Sequence, residues 1–205
     1  MTAHRSLIRR TATVAAAGAA GLVLAACGSN SDGSAGDGGR TSAAPAASAS
    51  QGQHNAADVA FAKGMIPHHR QAIQMADLAP TRAESAEVKK LADEIKKAQD
   101  PEIKTLSGWL TSWGEDVPAE GAMEHGGHGG GMMTAEEMTK LEQSSGKAFD
   151  TAFMELMIKH HEGAVAMAKT EKSQGAFQPA KDMAGNIIAS QTAEITRMNT
   201  LLGKH

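Results

Sequence analysis

Two short stretches of the chain hold paired histidines: MIPHHRQAIQMA from Met65 and MIKHHEGAVAMA from Met157. Both fit the frame Met-Ile-x-His-His-x-x-Ala-x-x-Met-Ala. Imidazole and thioether are neutral donors. A soft thioether beside an imidazole suits Cu(I), and imidazole also accommodates Cu(II). On a helix, a Met three residues before a His shares its face, as two ligands of one ion would. The candidate metal ligands are therefore Met65, His68, His69 and Met75, with Met157, His160, His161 and Met167 in the second copy. Structural zinc sites favour cysteine, and the chain has one cysteine, Cys27. Di-iron bundles use Glu-x-x-His, whereas here the residue three before each first histidine is Met. Copper, as Cu(I) or Cu(II), therefore ranks above iron.

Ordinary packing also accounts for parts of this pattern. Methionine commonly fills irregular core gaps, and a lone histidine on an apolar stripe is usually a satisfied core residue. Packing is the stronger reading for each methionine taken singly. An adjacent histidine pair repeated with the same flanking methionines favours metal.

The elements that carry these residues are duplicated. A shift of 92 residues superposes Asp58, Phe61, Met65, His68, His69, Ala72 and Met75 on Asp150, Phe153, Met157, His160, His161, Ala164 and Met167. The match continues from Ala92, Ile95, Gln99 and Glu102 to Ala184, Ile187, Gln191 and Glu194. Periodicity is helical throughout, so the repeat is a helical hairpin. Two hairpins make an all-α four-helix bundle over residues 56–203, with repeats 56–113 and 148–203. The first helix is expected to stop at Pro80. Thr81-x-x-Glu84 and Thr134-x-x-Glu137 read as capping boxes for the following helices. A break is expected near Ser144-Ser145-Gly146, and Pro179 suits a first helical turn. Pro67 and Pro101 should kink or bound their helices.

Phe61, Met65, His68, Ala72 and Met75 recur at spacings of 4, 3, 4 and 3, which marks an inward seam. The stripe that should be apolar thus carries polar groups, and burying those without partners costs several kcal/mol. His68 and His160 are expected to face the centre. His69 and His161, ~100° further round, should face the neighbouring helix. Asp58, Gln99, Glu102, Asp150, Gln191 and Glu194 are candidate acceptors for imidazole N–H groups around a metal.

The segment between the hairpins, residues 114–133, contains AMEHGGHGGGMM. Its Met123, His125, His128, Met132 and Met133 offer a possible additional metal-capturing set. At the other end, Arg5, Arg9 and Arg10 precede a short apolar run ending in Leu-Ala-Ala-Cys. This reads as a lipoprotein signal peptide, residues 1–26, with lipidation at Cys27. A Gly/Ser/Ala tether over residues 27–55 cannot bury a core. The expected location is the outer face of the cell membrane or the periplasm, with the membrane contacted through the lipid. Removing the leader takes away three arginines and no acid, which moves the formal net charge from −3 to −6. Such a balance argues against a nucleic-acid partner.

The doubled FxxxMIxHHxxAxxMA frame, with QxxEI after each copy, resembles the bacterial family catalogued as domain of unknown function 305. The resemblance spans roughly residues 55–203. It implies a ferritin-like four-helix bundle exported to the periplasm or cell surface, with copper binding or tolerance in some members. The duplicated motif together with export leads to the expectation of copper sequestration, tolerance or delivery through His and Met, with a copper donor or acceptor protein as a candidate partner. A di-metal redox enzyme and a metal-free structural or partner-binding bundle are the alternatives.

Overall fold

The computed structural model describes residues 52–121 and 130–204. Cys27, Met123, His125 and His128, with the leader and most of the tether, lie outside the described residues. Five helices follow in order: α1 Ala56–Arg82, α2 Ala86–Ser112, α3 Ala135–Gln143, α4 Gly146–Gln174 and α5 Gln178–Leu201. No strand occurs among the described residues. The four long helices form two hairpins, α1–α2 and α4–α5, joined along α1 and α4. On the far side Arg197 of α5 bridges Glu87 and Glu94 of α2.

Local chemistry sets the boundaries. Asn55 and Asp58 form a capping box at the start of α1. The helix does not stop at Pro80. It runs unbroken through Pro67 and Pro80 to Arg82. Each proline removes one N–H, and beyond Pro80 the ladder closes again where the Ala83 N–H donates to the Ala79 carbonyl. Consequently Thr81 lies inside α1 and cannot cap α2. Ser85 does so, accepting from the N–H groups of Glu87 and Val88. Thr134 and Glu137 form the expected capping box on α3. The break at residues 144–145 separates that short helix from α4, and Pro179 sits in the first turn of α5.

The hairpins are cross-clasped. Asp58 of the first accepts from the backbone N–H groups of Ala176 and Phe177, in the turn of the second. Asp150 of the second accepts from Glu84 and Ser85, in the turn of the first. The 92-residue shift maps one set onto the other, so the bonds obey the same two-fold relation as the sequence. Near one end, Phe177 packs edge to face on Trp109 and Trp113, and His54 stacks on Trp113 at 4.5 Å. None of the described helices is long and apolar enough to cross a membrane.

The apolar interior divides into two clusters. One contains Ala72, Met75, Leu91, Ile95, Phe149, Phe153 and Met157. The other contains Phe61, Met65, Ile66, Leu106, Ala164 and Ile187. Between them in both repeats come the paired histidines.

Candidate metal centre

All four histidines are buried: His68 is 1% exposed, and His69, His160 and His161 are 0% exposed. Histidines placed one after another on a helix point in directions ~100° apart, and here those directions have different targets. His68 on α1 and His160 on α4 meet ring to ring across the helix contact, with centroids 3.7 Å apart and planes tilted by 41°. His69 turns towards α2, where its Nε2 lies 2.7 Å from a carboxylate oxygen of Glu102. His161 turns towards α5, and its Nε2 lies 2.5 Å from Glu194. The site is therefore a layer with a tilted ring-to-ring pair at the centre and a histidine–carboxylate pair on each flank.

The hydrogen bonds determine which ring nitrogens remain. Nε2–H of His69 donates to Glu102, and that of His161 donates to Glu194. Nε2–H of His68 donates to the Gly130 carbonyl at 2.8 Å. In a neutral imidazole this leaves the lone pair on Nδ1. The Nδ1 atoms of all four histidines are buried and have no partner among the described residues, nor has Nε2 of His160. An unpaired buried acceptor costs roughly 1–3 kcal/mol, and this layer holds one on each of His68, His69 and His161 beside a His160 ring unengaged at both nitrogens. Burial holds the His68 ring at a pKa of about 3, only partly offset by the Gly130 carbonyl. Burial, and then the neighbouring His68, His161 and His69, push His160 well below the usual range. Both central rings are thus neutral at physiological pH, the form that ligates a cation.

The methionines bracket this layer. Met65 belongs to one apolar cluster and half-buried Met167 packs against it. Met75 and Met157 belong to the other. Each side of the histidine layer thus carries a motif methionine from each repeat. Among the described residues no three His, Cys, Asp or Glu side chains are already gathered as a cage. What the layer offers is imidazole with flanking sulfur, a donor set matched to a soft monovalent ion more than to a hard one.

Several sequence expectations are corrected. Asp58 and Asp150 are not imidazole acceptors. Their carboxylates are occupied by turn N–H groups, because the seam's first position lies at the end of the bundle. A carboxylate-rich two-metal centre built on them is therefore not assembled. Gln99 and Gln191 are buried, and their side-chain carbonyls have no donor among the described residues. Met133 buries its side chain in the same apolar cluster as Met75 and Met157, while Met132 on the same segment is half-buried.

Sequence reasoning missed three residues. Gln71 is buried and forms two hydrogen bonds to the backbone of Met133, at 2.6 and 2.9 Å. Gly163 lies against the backbone of Gly130 and Gly131. Glu171, 1% exposed, lies against Asp58. Gln71 and Gly163 occupy equivalent positions in the two repeats, so the available signal was a mismatch within the duplication.

Solved structures share this architecture. A DUF305 protein from Streptomyces coelicolor, described as secreted, is 34% identical, with a TM-score of 0.65 over 72% of this chain and 91% of its own. A DUF305 fragment from Deinococcus radiodurans is 29% identical, with a TM-score of 0.66 over 73% of this chain and 97% of its own. CopM in its Cu(I)-bound form is 34% identical, with a TM-score of 0.60 over 70% of this chain and 94% of its own. CopM has also been solved with Cu(II) and with Ag. No curated protein matches the chain. Residues 58–202, which include both hairpins and every histidine of the layer, match the profile described as domain of unknown function (DUF305), and the chain belongs to that family.

Proposed function

We propose that this protein is a non-enzymatic copper-binding protein of the cell exterior, which sequesters copper and passes it on. The observation that carries the reading is the buried layer of four histidines whose Nδ1 atoms all lack a partner. Two of those rings are backed by Glu102 and Glu194, the arrangement that orients metal-ligating imidazoles elsewhere. His68, His69, His160 and His161 would hold the ion, and Met65, Met75, Met157 and Met167 supply soft donors on either side. The relation to CopM, which takes Cu(I), Cu(II) and Ag, supports copper as the cargo. The apolar leader ending at Cys27 and the secreted Streptomyces relative support export, and Cys27 would tether the bundle by a lipid.

The test is a competition titration of the purified chain against a Cu(I) chelator. The chain should take up copper, and replacing all four histidines with Ala should abolish that uptake. Unchanged copper stoichiometry in the fourfold variant would sink the reading.

A further inference from the structure

Positions Gln71 and Gly163 are related by the repeat, yet one holds a long amide and the other no side chain. Both face the segment Gly130–Met133, which leads into α3. Gln71 clamps it: the Nε2–H donates to the Met133 carbonyl at 2.9 Å, and the Met133 N–H donates to Oε1 at 2.6 Å. Gly163 makes room for it. A Cβ on Gly163 would lie 1.6 Å from the Gly130 carbonyl oxygen and 2.8 Å from the Gly131 nitrogen. Gly130 and Gly131 have φ of 80° and 78°, a left-handed conformation that favours glycine. A Cβ on Gly131 would meet the Lys159 carbonyl of α4 at 2.3 Å. The segment is thus pressed onto both histidine-bearing helices, one turn from His68 and His160.

Its contact with the histidine layer is specific. The Gly130 carbonyl accepts from Nε2 of His68. Gly130 is itself exposed while His68 is buried, so the segment stands between that ring and solvent. His160 has no such partner among the described residues. This is where the two-fold relation fails, and it fails through one glycine and one glutamine.

We propose that Gly130–Met133 is a strap over the histidine pair, docked by Gln71 and Gly163 as positioning residues. It fixes His68 with Nε2 engaged and Nδ1 free for the ion, and copper enters and leaves only when the strap lifts. This rests on the histidine layer being the copper site. The strap itself does not, because its docking is readable in the metal-free protein.

The test uses the full chain and three variants: Gly163→Ala, Gln71→Ala, and Gly108→Ala as a control whose added Cβ meets nothing within 4 Å. In the metal-free protein, nitrogen-15 NMR reads the tautomer of each histidine, and amide exchange reads the Met133 N–H. Gly163→Ala and Gln71→Ala should speed Met133 exchange on the order of tenfold, the scale of losing buried hydrogen bonds. They should also loosen the His68 tautomer and leave His69 and His161 unchanged. Cu(I) transfer to a chelator should accelerate on the order of tenfold at unchanged stoichiometry, while Gly108→Ala matches the wild type. Gln71→Ala inserts no atoms, so it decides the matter if Gly163→Ala fails to fold. A wild type that binds no Cu(I) overturns the copper reading alone. Unchanged His68 tautomer and Met133 exchange overturn the docking. A freed strap with unchanged transfer rate overturns the gating.

Discussion

Glu171 buries its carboxyl beside that of Asp58. No N–H or O–H group among the described residues reaches either oxygen of Glu171, so the contact becomes a hydrogen bond when Glu171 is protonated. Burial, and then the Asp58 carboxylate, raise Glu171 from 4.5 to about 8, with Lys181 pulling the other way. Burial alone would raise Asp58 as well. Hydrogen bonds from Asn55, Glu171, Phe177 and Ala176 outweigh it and hold Asp58 below its ordinary value.

Stability should therefore fall with rising pH on account of Glu171. The folded state keeps a proton that the unfolded chain releases above 4.5, and this contribution is lost as pH rises through about 8. Glu171→Gln, whose amide N–H donates at every pH, should melt like the wild type near pH 5 and at a higher temperature above pH 8. Parallel melting curves across that range would contradict the raised Glu171 pKa.

The flanking carboxylates make a second prediction. Glu102→Gln and Glu194→Gln each replace the acceptor of a histidine Nε2–H with a neutral amide. Each should weaken Cu(I) affinity by roughly 10- to 100-fold, the usual effect of removing such support. The two losses should be similar, because the repeat makes the environments alike. Competition with a chelator of known affinity measures both.

Copper should also stabilise the fold. An ion that binds the folded chain alone adds about 2.7 kcal/mol at a free concentration 100 times the dissociation constant. Thermal melts with increasing copper should shift upwards for the wild type and stay fixed for the fourfold histidine variant. Equal shifts in both would assign the stabilisation to another part of the chain.

The clasps should account for a measurable share of the stability. Asp150→Ala leaves the N–H groups of Glu84 and Ser85 without their carboxylate. The expected cost is roughly 1–3 kcal/mol, measured by urea unfolding. A substitution at Glu142, an exposed acid, should cost little by comparison.

The helical seam was legible in the sequence because depth follows from spacing. His68 and Met65 on the inward stripe needed only a count of three and four. Height along the bundle does not follow from spacing, which is why Asp58 was assigned to the histidines when it lies at a turn. Pro80 misled because a proline in a last turn removes one bond and the next N–H groups can still close the ladder. Gly163 and Gln71 are intelligible only once Gly130–Met133 is seen between them. Glu171 has Ala79 as its counterpart, so the duplication offered no hint of it.

The cross-clasp also bears on how such a chain could arise. A lone hairpin would present its aspartate to solvent and leave the amides of its own turn bare. Two copies of that hairpin, facing each other about a two-fold axis, would satisfy both needs at once, since each surface is complementary to itself. The clasp therefore has the form of a two-fold symmetric interface held within one chain.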